Sequence, residues 1–122
     1  MSSDAVIVGS PVYFGNVSGE VKTFFDNWNL KFRLSQELKM RNKVGGAFAT
    51  GASISNGKDV TMLTILGAML INQMIVVSSG GYGATATTGP TSPGIDEKEL
   101  ADARDLGKRV AEVASMIKSG AK

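Results

Sequence analysis

Asp4 to Trp28 reads DAVIVGSPVYFGNVSGEVKTFFDNW, and the fold turns on how this stretch divides. Ala5, Val6, Ile7 and Val8 run without polar interruption, as in a strand of a parallel sheet covered on both faces. Gly9 and Pro11 end the run, being residues that punctuate regular structure. Beyond the turn, Val17, Val21, Phe24, Phe25 and Trp28 recur at helical spacing, with Glu20, Lys22, Asp26 and Asn27 between them. That spacing predicts a helix with one buried and one solvated face. The loop from Ser10 to Asn16 therefore sits at the carboxyl end of a buried strand, where open α/β sheets bind ligands.

Working outward, residues 29–42 form a polar connection in which Leu30, Phe32, Leu34, Leu38 and Met40 alternate. Val44 to Thr50 reads as a second buried strand, with Gly45 and Gly46 making room for a helix to approach. A polar turn, Gly51 to Gly57, leads into a helix expected over 58–73 with Val60, Leu63, Leu66, Gly67, Leu70 and Ile71 on its inner side. Met74 to Ser78 is the expected third strand, and Ser79 to Gly94 a long aperiodic Gly/Ser/Thr/Pro loop, a candidate lid. Asp96 and Glu99 are spaced to cap a final helix, whose inner stripe is Leu100, Ala103, Leu106, Gly107, Val110, Ala114 and Ile117. Strand and helix thus alternate through one domain, residues 1–122. The class implied is α/β, a parallel sheet with helices on both faces.

The absences narrow the chemistry. The chain has no His and no Cys, which removes serine–histidine and cysteine–histidine nucleophiles, disulfides and the usual zinc sites. No metal site is expected and no catalytic residue stands out. The net charge is only +2, and the basic cluster Lys31, Arg33, Lys39, Arg41 and Lys43 around Glu37 reads as a solvated surface, not a nucleic-acid stripe. With 43% apolar and 20% charged residues and no apolar run of spanning length, the composition is that of a globular protein without a membrane partner. A cytoplasmic setting is the expectation.

GSPVYFGNVSGEVKTFFDNW also resembles the third strand, loop and third helix of the flavodoxin-like NAD(P)H:quinone oxidoreductases, the group that includes the tryptophan-repressor-binding proteins. In that family a GSPxYFGxxSGxxKxFxD pattern wraps one side of the FMN ring. The likeness continues more loosely through KVGGAFATGAS, LINQMIVVS and ELADARDLGKRVAEVA. It implies that Ser10, Pro11, Val12, Tyr13, Phe14, Gly15 and Asn16 line the cofactor on one side, and Thr50, Gly51, Ala52 and Ser53 on another. A flavin needs an aromatic or aliphatic wall and backbone groups aimed at its polar edges. Tyr13 or Phe14 can supply the wall and Gly15 the close backbone. From the residues alone the same loop reads equally as a structural turn.

Family members begin with further elements, including the loop that holds the FMN phosphate. The chain is therefore expected to be the carboxyl-terminal part of such a domain, truncated to the last three strand–helix units, with the phosphate loop absent and FMN held weakly or not at all. The function implied is FMN-dependent NAD(P)H:quinone oxidoreduction, with flavin, NAD(P)H and quinone as partners. The alternative is a cofactor-free flavodoxin-like remnant serving as a binding or assembly module. Self-association is expected as well, because the Ala5–Val8 edge or the apolar surface beside it would need a second copy to cover it.

Overall fold

Val44–Gly51, strand β2, has neighbours on both of its edges in a computed structural model that describes residues 3–52, 57–88 and 95–120. On one side lies β1 (Ala5–Pro11), parallel and in register from Ala5 opposite Val44 to Pro11 opposite Thr50. On the other side lie β3 (Ile75–Val76), against Val44 and Gly45, and β4 (Ala84–Thr87), against Phe48 to Gly51. All pairings are parallel. Three helices complete the order: α1 (Gly19–Leu30) after β1, α2 (Lys58–Ile71) after β2 and α3 (Glu97–Gly120) after β4.

Helices α1 and α3 each have a side-chain cap that fixes where they start. Ser18 caps α1, its Oγ accepting from the Val21 N–H at 3.2 Å. At α3, Glu99 accepts from the Asp96 N–H while Asp96 accepts from the Glu99 N–H, the reciprocal box that the 96–99 spacing predicted. Two apolar layers result. Trp28 from α1, Met62, Ile65 and Met69 from α2, and Met40 pack on one face of the sheet, while Leu106 and Val110 from α3 pack with Val44 and Ala84 on the other. The glycine pair in β2 lets both layers in. A Cβ on Gly45 would lie 2.4 Å from Met69 Sδ, and one on Gly46 would lie 3.1 Å from Val110 Cγ2.

Three expectations are corrected. The architecture is not three strand–helix units left by truncation: the β1–α1 unit stands at the front, and the sheet has four strands. The fourth strand comes from within Ser79–Gly94, expected as an aperiodic lid. The chain leaves the sheet after Val77, whose N–H donates to Gly45, and returns at Ala84. Gly83 permits the return, since a Cβ there would lie 2.0 Å from the Ala47 carbonyl oxygen. Residues 89–94 of that stretch lie outside the described residues. Finally, α2 is turned over relative to its expected face. Lys58, Thr61, Met62, Ile65 and Met69 are buried, whereas Val60, Leu63, Leu70 and Ile71 are exposed, and of the expected aliphatics only Leu66 packs against the core.

The connection from α1 to β2 is anchored although it lacks regular structure. Leu34 and Met40 plug into the first layer, and Arg33, Leu38 and Asn42 take positive φ to turn the chain around them. Lys39 sits 3.0 Å from Glu37 and holds that exposed carboxyl below its ordinary pKa, first through the hydrogen bond and then through charge. Among the described residues no helix is long and apolar enough to cross a membrane.

Two outcomes check this packing by chemical denaturation. Met40 is fully buried, so Met40→Ala should cost about 2–5 kcal/mol. Thr61 Oγ1 is buried with no hydrogen-bond partner among the described residues, so Thr61→Val, which keeps the shape and removes the orphaned hydroxyl, should raise stability by about 1 kcal/mol.

Candidate functional site

At the carboxyl ends of β1 and β2 the chain makes two loops side by side. The ladder runs on past β1: the Val12 N–H donates to the Thr50 carbonyl at 2.8 Å. Tyr13 and Asn16 then pair with each other, N–H to carbonyl in both directions at 2.9 and 3.2 Å. The two residues between them, Phe14 at φ +50° and Gly15 at φ +79°, both lie in the left-handed region, as a two-residue turn with positive φ at both centres requires. Glycine adopts that conformation without cost, but phenylalanine does not, its Cβ crowding the following carbonyl by about 1–2 kcal/mol.

Nothing in the packing repays Phe14 for this. Its ring is wholly exposed, and Tyr13 beside it is 61% exposed. Neither belongs to the apolar layers. Two aromatics are therefore presented to solvent at the end of a parallel strand, one of them on a strained backbone. The Phe14 and Gly15 N–H groups make no hydrogen bond among the described residues, which leaves them as free donors beside the ring.

The neighbouring residues fix the loop. Ser10 is buried, its Oγ donating to the Pro11 carbonyl at 2.7 Å and accepting from the Ser18 N–H at 3.0 Å. It ties the end of β1 to the start of α1. Asn16 Oδ1 accepts from the Val17 N–H at 2.8 Å. Ser10 and Asn16 therefore hold the loop in place, while Tyr13, Phe14 and Gly15 form its open part.

The second loop meets the first through two glycines. Gly57 takes φ +110°, and a Cβ there would lie 2.6 Å from the Gly15 carbonyl oxygen. Of the second group expected, Thr50 is half-buried, Gly51 buried and Ala52 exposed, and Ser53 lies outside the described residues. Thr50 pairs with Pro11, and Gly51 accepts from the Thr88 N–H at 2.8 Å. The structure thus places Ser10–Asn16 and Thr50–Ala52 at one edge of the sheet.

Sequence reasoning missed two residues at this edge. Gly57 is the cap position of α2, and no side chain caps that helix among the described residues, so its first-turn N–H groups keep their positive polarity. Lys58 follows, only 6% exposed, its Nζ donating to Thr87 Oγ1 at 2.6 Å. The Thr87 N–H in turn donates to Glu99 at 2.8 Å, so one chain of hydrogen bonds joins the starts of α2 and α3 to the end of β4. A lysine in the first turn opposes the usual helix preference, and that is the signal by which it could have been found. Two cavities adjoin these elements. One of about 390 Å³ runs between α1 and α2, and another of about 520 Å³ follows the outer side of β1, with Tyr13 on its rim.

Comparison with known proteins identifies the fold and the family. The chain is 43% identical over 121 residues to an iron-sulfur flavoprotein of Methanocaldococcus jannaschii, covering 95% of this chain and 61% of that protein. It is 36% identical to an NAD(P)H dehydrogenase (quinone) of Archaeoglobus fulgidus, covering 93% and 61%. It thus spans about three-fifths of the length of these two relatives. The crystal structure of a flavodoxin, a WrbA-like protein from Agrobacterium tumefaciens, superposes with a TM-score of 0.82 at 29% identity, covering 94% of this chain and 68% of that one. The fold is flavodoxin-like. Residues 1–88 match the family described as NADPH-dependent FMN reductase. That match takes in the amino-terminal region, and so corrects the expectation of a carboxyl-terminal remnant lacking its phosphate loop. The chain belongs to the NADPH-dependent FMN reductase family.

Proposed function

We propose that this chain is the flavin-holding part of an FMN-dependent oxidoreductase that passes electrons from NAD(P)H to a quinone, working as a homo-oligomer in the cytoplasm. The observation that carries the reading is Phe14, an exposed ring kept on a strained backbone. Strain of this kind persists where function requires it. The family match and the two relatives support the choice of flavin as the ligand.

The residues present fit the ring. Tyr13 and Phe14 offer a flat apolar wall, and the free N–H groups of Phe14 and Gly15 are donors for a polar edge. Thr50, Gly51 and Ala52 stand at the second side, with Ser53 next in the chain, and the contact of Gly15 with Gly57 fixes the spacing of the two loops. Among the described residues no side chain caps the start of α2, so its first N–H groups are available to a negative edge of a bound group. When bound, FMN supplies the capacity to take two electrons from a nicotinamide and give them to an acceptor. The Tyr13–Asn16 turn contains none of Asp, Glu, Lys or Arg, and the Tyr13 phenol is its one ionisable side chain. The iron-sulfur chemistry in one relative's name does not carry over to these residues, because the 122 residues contain no Cys and so no thiolate to hold a cluster.

Fluorescence titration with FMN tests the reading. The protein should bind FMN, and Phe14→Gly should weaken binding by roughly tenfold, about the stacking energy of one ring. The same change should raise unfolding stability by about 1 kcal/mol, since it removes left-handed strain at no packing cost. Absence of FMN binding would overturn the cofactor reading and leave the cofactor-free module. Binding without NAD(P)H-dependent quinone reduction would keep the cofactor and overturn the activity.

A further inference from the structure

Lys39, Arg41 and Lys43 occupy alternate positions on the way into β2, and in the sequence they belong to a solvated surface. Folding adds a fourth cation from the far end of the chain. The last turns of α3 reach the amino end of the sheet, where Lys118 Nζ stands 3.5 Å from an Asp4 carboxylate oxygen. All four cations line one cavity of about 360 Å³ together with Asp4, and Val44 and Ile117 form its apolar wall. Val44 is buried and Ile117 half-buried, both within the second apolar layer. Four cations against one carboxylate carry more positive charge than the +2 of the whole chain.

The fold accounts for some of these charges but not for all. Lys39 is matched by Glu37 at 3.0 Å, and Lys118 complements the carboxyl end of α3, where a cation is favoured. Lys43 donates to the Ser3 carbonyl. The Arg41 side chain makes no hydrogen bond or ion pair among the described residues. Its guanidinium therefore stands beside three further cations with nothing in the fold to balance it. A cleft lined by one sign of charge concentrates ions of the other.

We infer that this cavity binds a small organic polyanion, a molecule whose phosphate or carboxylate groups bring at least two negative charges and whose apolar part rests on Val44 and Ile117. A concave space of this volume suits a small molecule. Arg41 presents its donors in a planar fork that fits two oxygens of one anionic group, and the lysines serve as point charges for another. Lys118 is available for this, because its contact with Asp4 is long and joins two mostly exposed side chains, a kind of pair that contributes little to stability. The cavity lies at the opposite end of the β1–β2 ladder from Pro11 and Thr50, roughly 20 Å away at the rise of a strand. A polyanion bound there is independent of whatever the flavin loops hold.

Titration of the isotopically labelled protein with phenyl phosphate and with isophthalate, read from backbone amide shifts at constant ionic strength, tests this. At least one of the two should give saturable shifts at Arg41, Asn42, Val44 and Lys118 with Phe14 and Gly15 unmoved, and which one binds tells phosphate from carboxylate recognition. Arg41→Gln and Lys118→Gln change exposed side chains outside the apolar layers, and each should weaken that binding roughly tenfold. Lys98→Gln removes the same unit of charge near the start of α3, from an exposed pair with Asp102, and should leave the binding unchanged. Shifts that fail to saturate, that Arg41→Gln leaves as they were, or that all three variants weaken alike, overturn the site in favour of diffuse attraction to a basic surface. Saturable shifts centred on Phe14 and Gly15 overturn it as well, by placing the anion at the flavin loops.

Discussion

The structure depends on β2 being flanked on both edges and covered on both faces. Its glycine pair makes that double coverage possible, because Gly45 leaves space for Met69 and Gly46 for Leu106 and Val110. Side chains at these positions would push both helical layers off the sheet, and the register that brings Pro11 beside Thr50 would lose its support. The ends of β1 and β2 would then have no reason to finish at the same level. The candidate site follows from that constraint: two loops leave adjacent parallel strands together, and Gly15 and Gly57 let their backbones touch.

Stability and function pull apart at one residue. The Tyr13–Asn16 turn would be satisfied by Gly or Asn at its first centre, yet Phe14 occupies it with its ring in solvent. Around it every strand-end group is spent on holding the loop: Ser10 on Pro11 and Ser18, Asn16 on Val17, and Val12 on Thr50. The frame is rigid and the residue it presents is costly, the arrangement expected of a surface kept for a ligand. On the far side of the site, Lys58, Thr87 and Glu99 tie three elements together by hydrogen bonds. That keeps the positive start of α2 fixed relative to β4.

Much of this was legible in the sequence, for physical reasons. The unbroken run Ala5–Val8 announced a strand, though not its cover, since β1 lies at an edge with Ile7 exposed and Ala5, Val6 and Val8 only half-buried; the Asp96–Glu99 pair announced a helix start, and Gly45–Gly46 announced close packing. The turn expected over Ser10 to Asn16 begins later than its Gly and Pro suggested, because β1 pairs with β2 through Ser10 and Pro11, and nothing in the stretch told the supporting Ser10 from the presented Phe14. The face of α2 was not legible, because both of its sides are apolar and periodicity cannot choose between two apolar stripes. What decides is that flexible methionines fill the irregular space over Gly45 better than branched side chains do. Strand β4 was hidden too, since Ala84–Thr87 is short, lacks large β-branched aliphatics and follows a glycine cluster. The extent of the family match could not be read from a motif in one loop.

The central claim is that the ligand sits across the carboxyl ends of β1 and β2. Backbone amide shifts of the isotopically labelled protein, followed as FMN is added, test it most directly. The account predicts that the largest changes fall on Phe14, Gly15, Ala52 and Thr88, with Gly57 moving alongside Gly15, while the carboxyl-terminal half of α3 stays still. Changes concentrated instead along the outer side of β1 or in the groove between α1 and α2, with Phe14 and Gly15 unmoved, would contradict it.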